Sequence, residues 1–227
     1  NIHEVVQRSA SEAQQQLVRV LTHEIMNSLT PIISLSDTLT EGMKDESLSQ
    51  DDITQALQAI NRRSSGLLHF VENYRKLQYI SSPQYTDVKL GELITDLQQL
   101  FPAPFFHFYI QDTEQILRID RSQIEQVLIN LLKNAEEAVR DVEDKNISIS
   151  ARAEKPQHII TINVEDNGCG IMPEVLERIF VPFFTTKPGG SGIGLSVCRQ
   201  IASLHGGSIT VSSTHLKQTV FTLQLPM

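Results

Sequence analysis

The sequence contains no tryptophan, and its two cysteines, Cys169 and Cys198, form no C-x-x-C pair and stand at no metal-ligand spacing. That excludes a disulfide framework and a cysteine-built zinc site. Both thiols fit a reducing compartment and read most simply as small packing residues. A surplus of positive charge is missing too. Lys and Arg number 19 against 27 Asp and Glu, a formal net charge of -8. With no basic face to neutralise phosphates, the composition argues against a nucleic-acid binder. No apolar run reaches the ~18 residues of a membrane span, no signal peptide is visible, and neither a repeat nor a low-complexity segment occurs. What is present is ordinary: 227 residues, 40% of them hydrophobic, enough for one large domain or two modest ones. The chain starts inside a stretch that already reads as helical (1–19), so it is expected to be a piece of a longer protein.

Residues 4 to about 45 read as one long helix. Its apolar stripe is Leu17, Leu21, Ile25, Ser28, Ile32, Leu35 and Leu39, at alternating spacings of four and three. At 100° per residue, His23 lies about 160° from the centre of that stripe and points to solvent. Asn27 sits one turn further along the same face, and Pro31 predicts a kink beside it. Taken alone, this is an exposed histidine on an amphipathic helix. After a break at 41–50, Ser49 with Asp52 signals the N-cap of a second helix. Its expected seam is Ile53, Leu57, Ile60, Ser64, Leu67, Val71 and Tyr74. Two such helices form an antiparallel hairpin with an unburied side. Pairing two hairpins into a dimeric four-helix bundle covers it, so residues 1–80 predict a homodimer.

Ile80-Ser81-Ser82-Pro83 marks a linker, beyond which short strands and helices alternate. Strands are expected over 85–89, 105–110 and 115–119, with a helix over 90–101 between the first two. Asp120 then caps a strongly periodic helix to about Arg140. The stretches 146–153 and 158–165 alternate apolar and polar residues as adjacent hairpin strands. A helix-like stretch over 173–179 and a helix over 193–204, stopped by Gly206-Gly207, precede a closing hairpin of 208–213 and 218–225. This order predicts an α/β sandwich with a mixed sheet.

Three stretches of this second part carry chemistry. Asn130 and Asn134 lie one turn apart at the edge of a core stripe, so their amide oxygens can converge on a hard cation such as Mg²⁺, or simply cap loops. Asp166-Asn167-Gly168-Cys169-Gly170 follows a strand. It reads as a tight turn, or as a carboxylate placed to accept from an exocyclic amine such as that of adenine. Phe180 to Lys187 leads into Gly189-Gly190-Ser191-Gly192-Ile193-Gly194-Leu195, glycines directly before a helix whose N-terminus favours phosphate. It matches neither a P-loop nor the dinucleotide G-x-G-x-x-G, and a plain flexible loop is the bland alternative.

In this order and spacing the motifs resemble the catalytic core of a two-component sensor histidine kinase, over essentially the whole chain. Residues 1–82 resemble the dimerisation and histidine-phosphotransfer domain. Residues 83–227 resemble the ATP-binding domain of the Bergerat (GHKL) type, an α/β two-layer sandwich shared with gyrase and MutL. The resemblance rests on the histidine box around His23, the asparagine box Asn130–Asn134, the glycine box Asp166–Gly170 and the stretch Phe180–Leu195. It implies that His23 accepts phosphate from ATP, with Glu24 orienting its ring, and that an aspartate of a response-regulator receiver domain then receives it. Asn134, supported by Asn130, would hold Mg²⁺ with the ATP phosphates, and Lys133 would reach a phosphate. Asp166 would read adenine N6, with Gly168, Gly170 and Ile171 shaping the pocket. Gly190, Ser191, Gly192, Ile193, Gly194 and Leu195 would cradle the phosphates, joined by Phe180, Thr186 and Lys187.

The resemblance has departures. The family often carries Asn-Pro where this chain has Asn27-Ser28, and the segment between Thr186 and Gly190 is very short. Asn130 stands where hydrolytic members of the fold carry a water-activating glutamate, which favours transfer to histidine over hydrolysis. Glu24 and Asn27 form the Glu-x-x-Asn run of members that also dephosphorylate their regulator. The competing readings are an ATPase or serine-directed kinase of the same fold and a non-catalytic scaffold. The resemblance further implies a cytoplasmic portion of a bacterial sensor, any membrane anchor lying upstream of this sequence.

Overall fold

A computed structural model of the chain describes residues 22, 25–45, 48–187 and 190–227. His23, Glu24, most of the first expected helix before Ile25, and Gly189 lie outside the described residues. The chain divides into two compact units, Asn1–Gln78 and Tyr79–Met227.

In the first unit, helix α1 covers 25–44 and its helical conformation continues through Pro31. Ile25, Ser28, Ile32 and Leu35 are half-buried and Leu39 is buried, the described part of the expected stripe. Helix α2 (Gln50–Gln78) begins with the expected cap in reciprocal form. Ser49 N donates to Asp52 Oδ2 at 3.1 Å and Asp52 N donates to Ser49 Oγ at 3.2 Å. Two otherwise orphaned amides are satisfied by one pair of side chains. The seam of α2 is only partly covered within one copy. Ile53, Ile60, Leu67 and Tyr74 are half-buried, but Leu57 and Val71 are 54% and 48% exposed and Ser64 is exposed. Ala56, Phe70 and Leu77 take the inward positions instead. Both sets lie within one turn of the shared heptad, and this unit buries the narrower stripe on one flank and leaves the other flank open.

The second unit runs β1 (Thr86–Lys89), α3 (Leu90–Leu100), β2 (Phe106–Ile110), β3 (Ile116–Ile119), α4 (Arg121–Ala138), β4 (Ile147–Glu154), β5 (Ile159–Asp166), α5 (Pro173–Leu176), α6 (Gly194–Leu204), β6 (Ser208–Thr214) and β7 (Gln218–Pro226). The main sheet has the order β2-β4-β5-β7-β6, and β1 with β3 forms a separate antiparallel pair. Only β2 and β4 are parallel, because α4 lies between them in the chain; β4–β5 and β6–β7 are antiparallel hairpins. Ile147, Ile149, Ile160, Ile162, Val164, Leu223 and Leu225 alternate onto the buried face. Leu93, Ile94, Leu97, Ile124, Val127, Leu128, Leu131, Val197 and Ile201 of α3, α4 and α6 are buried as well. Ser148, Ser150 and Asn163, the alternate strand positions, are half-exposed. One covered face and one wet face make a two-layer α/β sandwich. The stretch expected as a helix over 173–179 is a single turn, Pro173–Leu176, and α4 stops at Ala138.

The end of α6 follows its glycines. Gly206 has φ +68°, Gly206 N donates to Ser203 O at 3.0 Å and Gly207 N to Ala202 O at 2.9 Å, satisfying the last carbonyls. A Cβ at Gly207 would run into the carbonyl oxygen of Gln224, so the β6–β7 hairpin packs directly on this turn.

The start of α4 is pinned more heavily. Asp120 is buried, and its carboxylate accepts from Gln123 N at the helix cap, from Ser122 Oγ and from Gln84 N at 2.9 Å. The buried ring of His205 accepts from Asp120 N at 3.0 Å through Nε2, while Nδ1 lies 2.9 Å from Ile201 O as its donor. Tyr85 packs edge-on against that ring and donates to Leu204 O, and Gln123 donates to Ser81 O. Residues 81–85 are thereby tied to the N-terminus of α4 and the C-terminus of α6. Burial alone would raise the Asp120 pKa, but the bonds from Gln84, Ser122 and Gln123 outweigh it and hold it below the ordinary carboxylate value. A depressed pKa lends stability above the unfolded value and loses it as pH falls through the folded one. Asp120→Ala should lower the stability of this unit by about 2 kcal/mol in urea denaturation, the sum of a lost cap and an unpaired buried amide. The difference from wild type should shrink below about pH 4.

Candidate functional site

Helix α4 sets the first wall of the site. With Val127, Leu131 and Ala135 buried in the core, Asn130 and Asn134 emerge half-buried at the edge of the same helix. Their amides do not point to a common atom. Asn130 Nδ2 lies 3.7 Å from Cys198 Sγ on α6, and burial drives the Cys198 thiol up to about 12, so it stays a neutral acceptor. Asn134 Oδ1 instead accepts from Lys187 Nζ at 3.2 Å, and the same ammonium is bonded to Glu137 Oε2 at 2.5 Å. Lys133 is exposed on the helix surface. Asn134 and Glu137 therefore hold one cation between hard oxygens, the donor chemistry that Mg²⁺ takes. No cluster of three or more His, Cys, Asp or Glu side chains occurs among the described residues.

The second wall is the loop after β5. Asp166 is 3% exposed at the strand end, and its Oδ1 accepts from Gly168 N at 2.9 Å. A Cβ at Gly168 would stand 2.6 Å from Ala138 O, so only glycine lets the loop lie on the end of α4. Gly170 has φ +65° and faces the carbonyl of Thr214, while Ile171, half-buried, donates to Ser213 Oγ at 2.9 Å. The loop is thus docked on α4 and on the β6–β7 turn. Burial pushes the Asp166 pKa up from 3.8 to about 6, against the bond from Gly168 and the charge of Lys187. The carboxyl is poised to gain from a buried donor, because its ionised form has too few.

The third wall is the segment before α6. Phe183 has φ +64°, uncommon for so large a residue, and its N donates to Gly192 O at 2.9 Å. Gly192 has φ +65°, and a Cβ there would lie 2.5 Å from Phe183 C. Phe180 packs under Arg199 at 5.4 Å and Phe184 under Arg178 at 4.3 Å, cation–π contacts with no local signature in the sequence. Thr186, Gly190 and Ser191 are exposed, and Leu195 is half-buried. Ile193 differs from a surface ligand, since it is only 4% exposed. No side chain caps α6, and Gly194 opens it with its Cβ position 4.0 Å from Asn130. A helix start without a capping side chain favours an anion.

Lys187 draws the three walls together, since its charge acts on Asp166 while its Nζ rests on Asn134 and Glu137. Glu137 and the arginine–phenylalanine stacks were missed by sequence reasoning, because their partners lie on distant segments. Glu137 sits one turn beyond Asn134, which was the available signal.

The profile described as "Histidine kinase-, DNA gyrase B-, and HSP90-like ATPase" matches residues 119–227. The catalytic domain of the histidine kinase ThkA is 35% identical over 63% of this chain and 95% of that domain, with a TM-score of 0.56. The chain belongs to the sensor histidine kinase family. Sensor histidine kinase ZraS of Salmonella typhimurium is 34% identical over 95% of this chain and 46% of that protein. Sporulation kinase D of Bacillus subtilis is 31% identical over 98% of this chain and 44% of that protein. This member thus spans less than half the length of those curated relatives. A structure of ThkA with the response regulator protein TrrA covers 97% of this chain and 63% of the matched chain, at 28% identity and a TM-score of 0.63. Both units of this kinase-family chain therefore have counterparts in one solved protein.

Burial of Asp166 has a measurable consequence. A carboxyl whose pKa is raised on folding favours its protonated form, so its stabilising effect is complete below about pH 4 and is lost as pH rises through about 6. Asp166→Asn keeps the group neutral. Without nucleotide, its stability advantage over wild type should grow between pH 4 and 7 by about 2–3 kcal/mol, read by urea denaturation.

Proposed function

We propose that this chain is the catalytic core of a sensor histidine kinase that transfers the γ-phosphoryl of Mg-ATP to His23 and then to an aspartate of a response-regulator receiver domain. The observation that carries the reading is that Lys187 rests on Asn134 while its charge acts on buried Asp166, and that the uncapped start of α6 opens beside Asn130. Asp166 accepts the exocyclic amine of adenine, a donor that offsets the cost of its buried charge. The amides of Gly194 and Leu195 and the turn at Gly190–Gly192 receive the phosphates. Asn134 would hold Mg²⁺ with those phosphates, and the ion would supply neutralisation of the charge on the transferring group. Asn130, whose amide rests on Cys198, has no basic atom with which to activate water, so the site favours phosphoryl transfer to a positioned acceptor. His23 supplies that acceptor, with Glu24 holding the ring in its nucleophilic tautomer.

Residues 1–82 serve as the dimerisation and phosphotransfer domain and 83–227 as the ATP-binding domain. Exposed Met26, Leu29 and Ile33 on α1, with Leu57, Leu68 and Val71 on α2, form an apolar flank suited to a second copy in a four-helix bundle. No helix of the described residues is long and apolar enough to cross a membrane. By likeness to its longer sensor-kinase relatives, the chain serves as the cytoplasmic part of a sensor. Asn27, exposed one turn beyond His23, positions water against the regulator's aspartyl phosphate.

Labelled ATP should place acid-labile, base-stable phosphate on the wild-type chain and none on His23→Gln; label persisting in that variant would overturn the reading. Asn27→Ala should abolish dephosphorylation of the regulator and spare autophosphorylation, both followed on phosphate-affinity gels. Loss of both, or of neither, contradicts the role given to Asn27.

A further inference from the structure

The reading above gives Glu137 no role and Lys187 no step, yet the two form an ion pair at the edge of the site. The two Lys187 bonds, to Asn134 Oδ1 at 3.2 Å and to Glu137 Oε2 at 2.5 Å, place the ammonium between oxygens presented three residues apart on one face of α4. Lys187 is itself held by its backbone, since its N–H donates to Thr185 Oγ1 at 3.0 Å and its carbonyl accepts from Gly190 N at 3.1 Å. A Cβ at Gly190 would stand 2.6 Å from that same threonine oxygen, so Gly190 lies hard against Thr185. Both side chains of the ion pair remain nearly half exposed, which makes the pair weak and exchangeable.

We propose that Glu137 is a positioning residue that parks the Lys187 ammonium on the Asn134 oxygen in the nucleotide-free chain, so that the ammonium stands in the place of the metal and must be displaced when Mg-nucleotide binds. The inference rests on the reading of Asn134 as the metal ligand. A monovalent ammonium and a divalent ion cannot share one amide oxygen at contact distance without strong repulsion. Entry of the metal therefore moves Lys187 off Asn134 and frees it for the nucleotide phosphates. Glu137 sets the cost of that exchange, because its carboxylate is what keeps the ammonium there.

The test is calorimetric titration of ADP into the 227-residue chain at a series of Mg²⁺ concentrations. In Glu137→Gln and in Lys187→Met, the Mg²⁺ concentration that half-maximally enhances ADP affinity should fall by about two- to fivefold, the scale of one exposed ion pair. The double variant should show no further fall, since either change removes the same contact. An unchanged requirement in both single variants, or effects that multiply in the double variant, would overturn the proposal. A raised requirement in Glu137→Gln would overturn it also, because it would make Glu137 an oxygen of the metal's own shell. Asn134→Ala separates the two levels. Loss of the Mg²⁺ enhancement there supports the underlying reading, whereas enhancement that survives overturns that reading.

Discussion

The second unit depends on the rotational setting of α4. Six of its residues, Ile124, Val127, Leu128, Leu131, Leu132 and Ala135, are 2% exposed or less against the sheet and neighbouring helices. Rotating the helix by one residue would swing that face by about 100° and bury the asparagines in its place. Asp120 fixes where the helix begins, and the carbonyl of Ala138 at its end accepts from Cys169 N and lies against Gly168. The apolar stripe thus decides where the polar edge of Asn130, Asn134 and Glu137 stands. Packing energy is what aims the chemistry.

Glycine converts this scaffold into a site at two positions. At Gly168 the loop after β5 comes against backbone, and at Gly192 a left-handed turn lies on the equally left-handed Phe183. Any side chain at either would force the loop away from the helix it serves. The result is a buried carboxyl and a helix start brought to the same edge of α4. The buried carboxylate of Asp166 accepts from Gly168 N, and α6 starts without a capping side chain. Such groups cost free energy in the nucleotide-free chain and favour a ligand that supplies an amine and an anion. Lys187 offsets part of that cost at Asn134.

Much of this was legible from local pattern. The stripe of α4, the Asp120 cap, the reciprocal pair Ser49–Asp52, the 147–166 hairpin and the glycine stop of α6 are encoded within a few residues of where they act. The boxes were legible because their order and spacing resemble a family, although each alone reads as a turn or a loop. What was not legible depends on distant partners. The lysine clasp joins residues 50 apart in sequence, and the Asn130 amide meets a cysteine 68 residues away. The tie of Tyr85 to Leu204 spans 119 residues. How the α2 seam divides between a covered and an open flank was not legible for another reason. Leu57 and Val71 satisfy a heptad, but a pattern cannot tell which flank one hairpin buries and which it leaves open.

The central claim is that α4, the loop at Asp166–Gly170 and the start of α6 form one nucleotide site. Amide hydrogen exchange of the chain with and without a non-hydrolysable Mg-ATP analogue tests it most directly. The account predicts added protection in peptides covering 130–137, 166–171 and 190–196, with little change across the wet face of the sheet. Absence of protection in these three segments at saturating nucleotide, or protection confined to other surfaces, would contradict it.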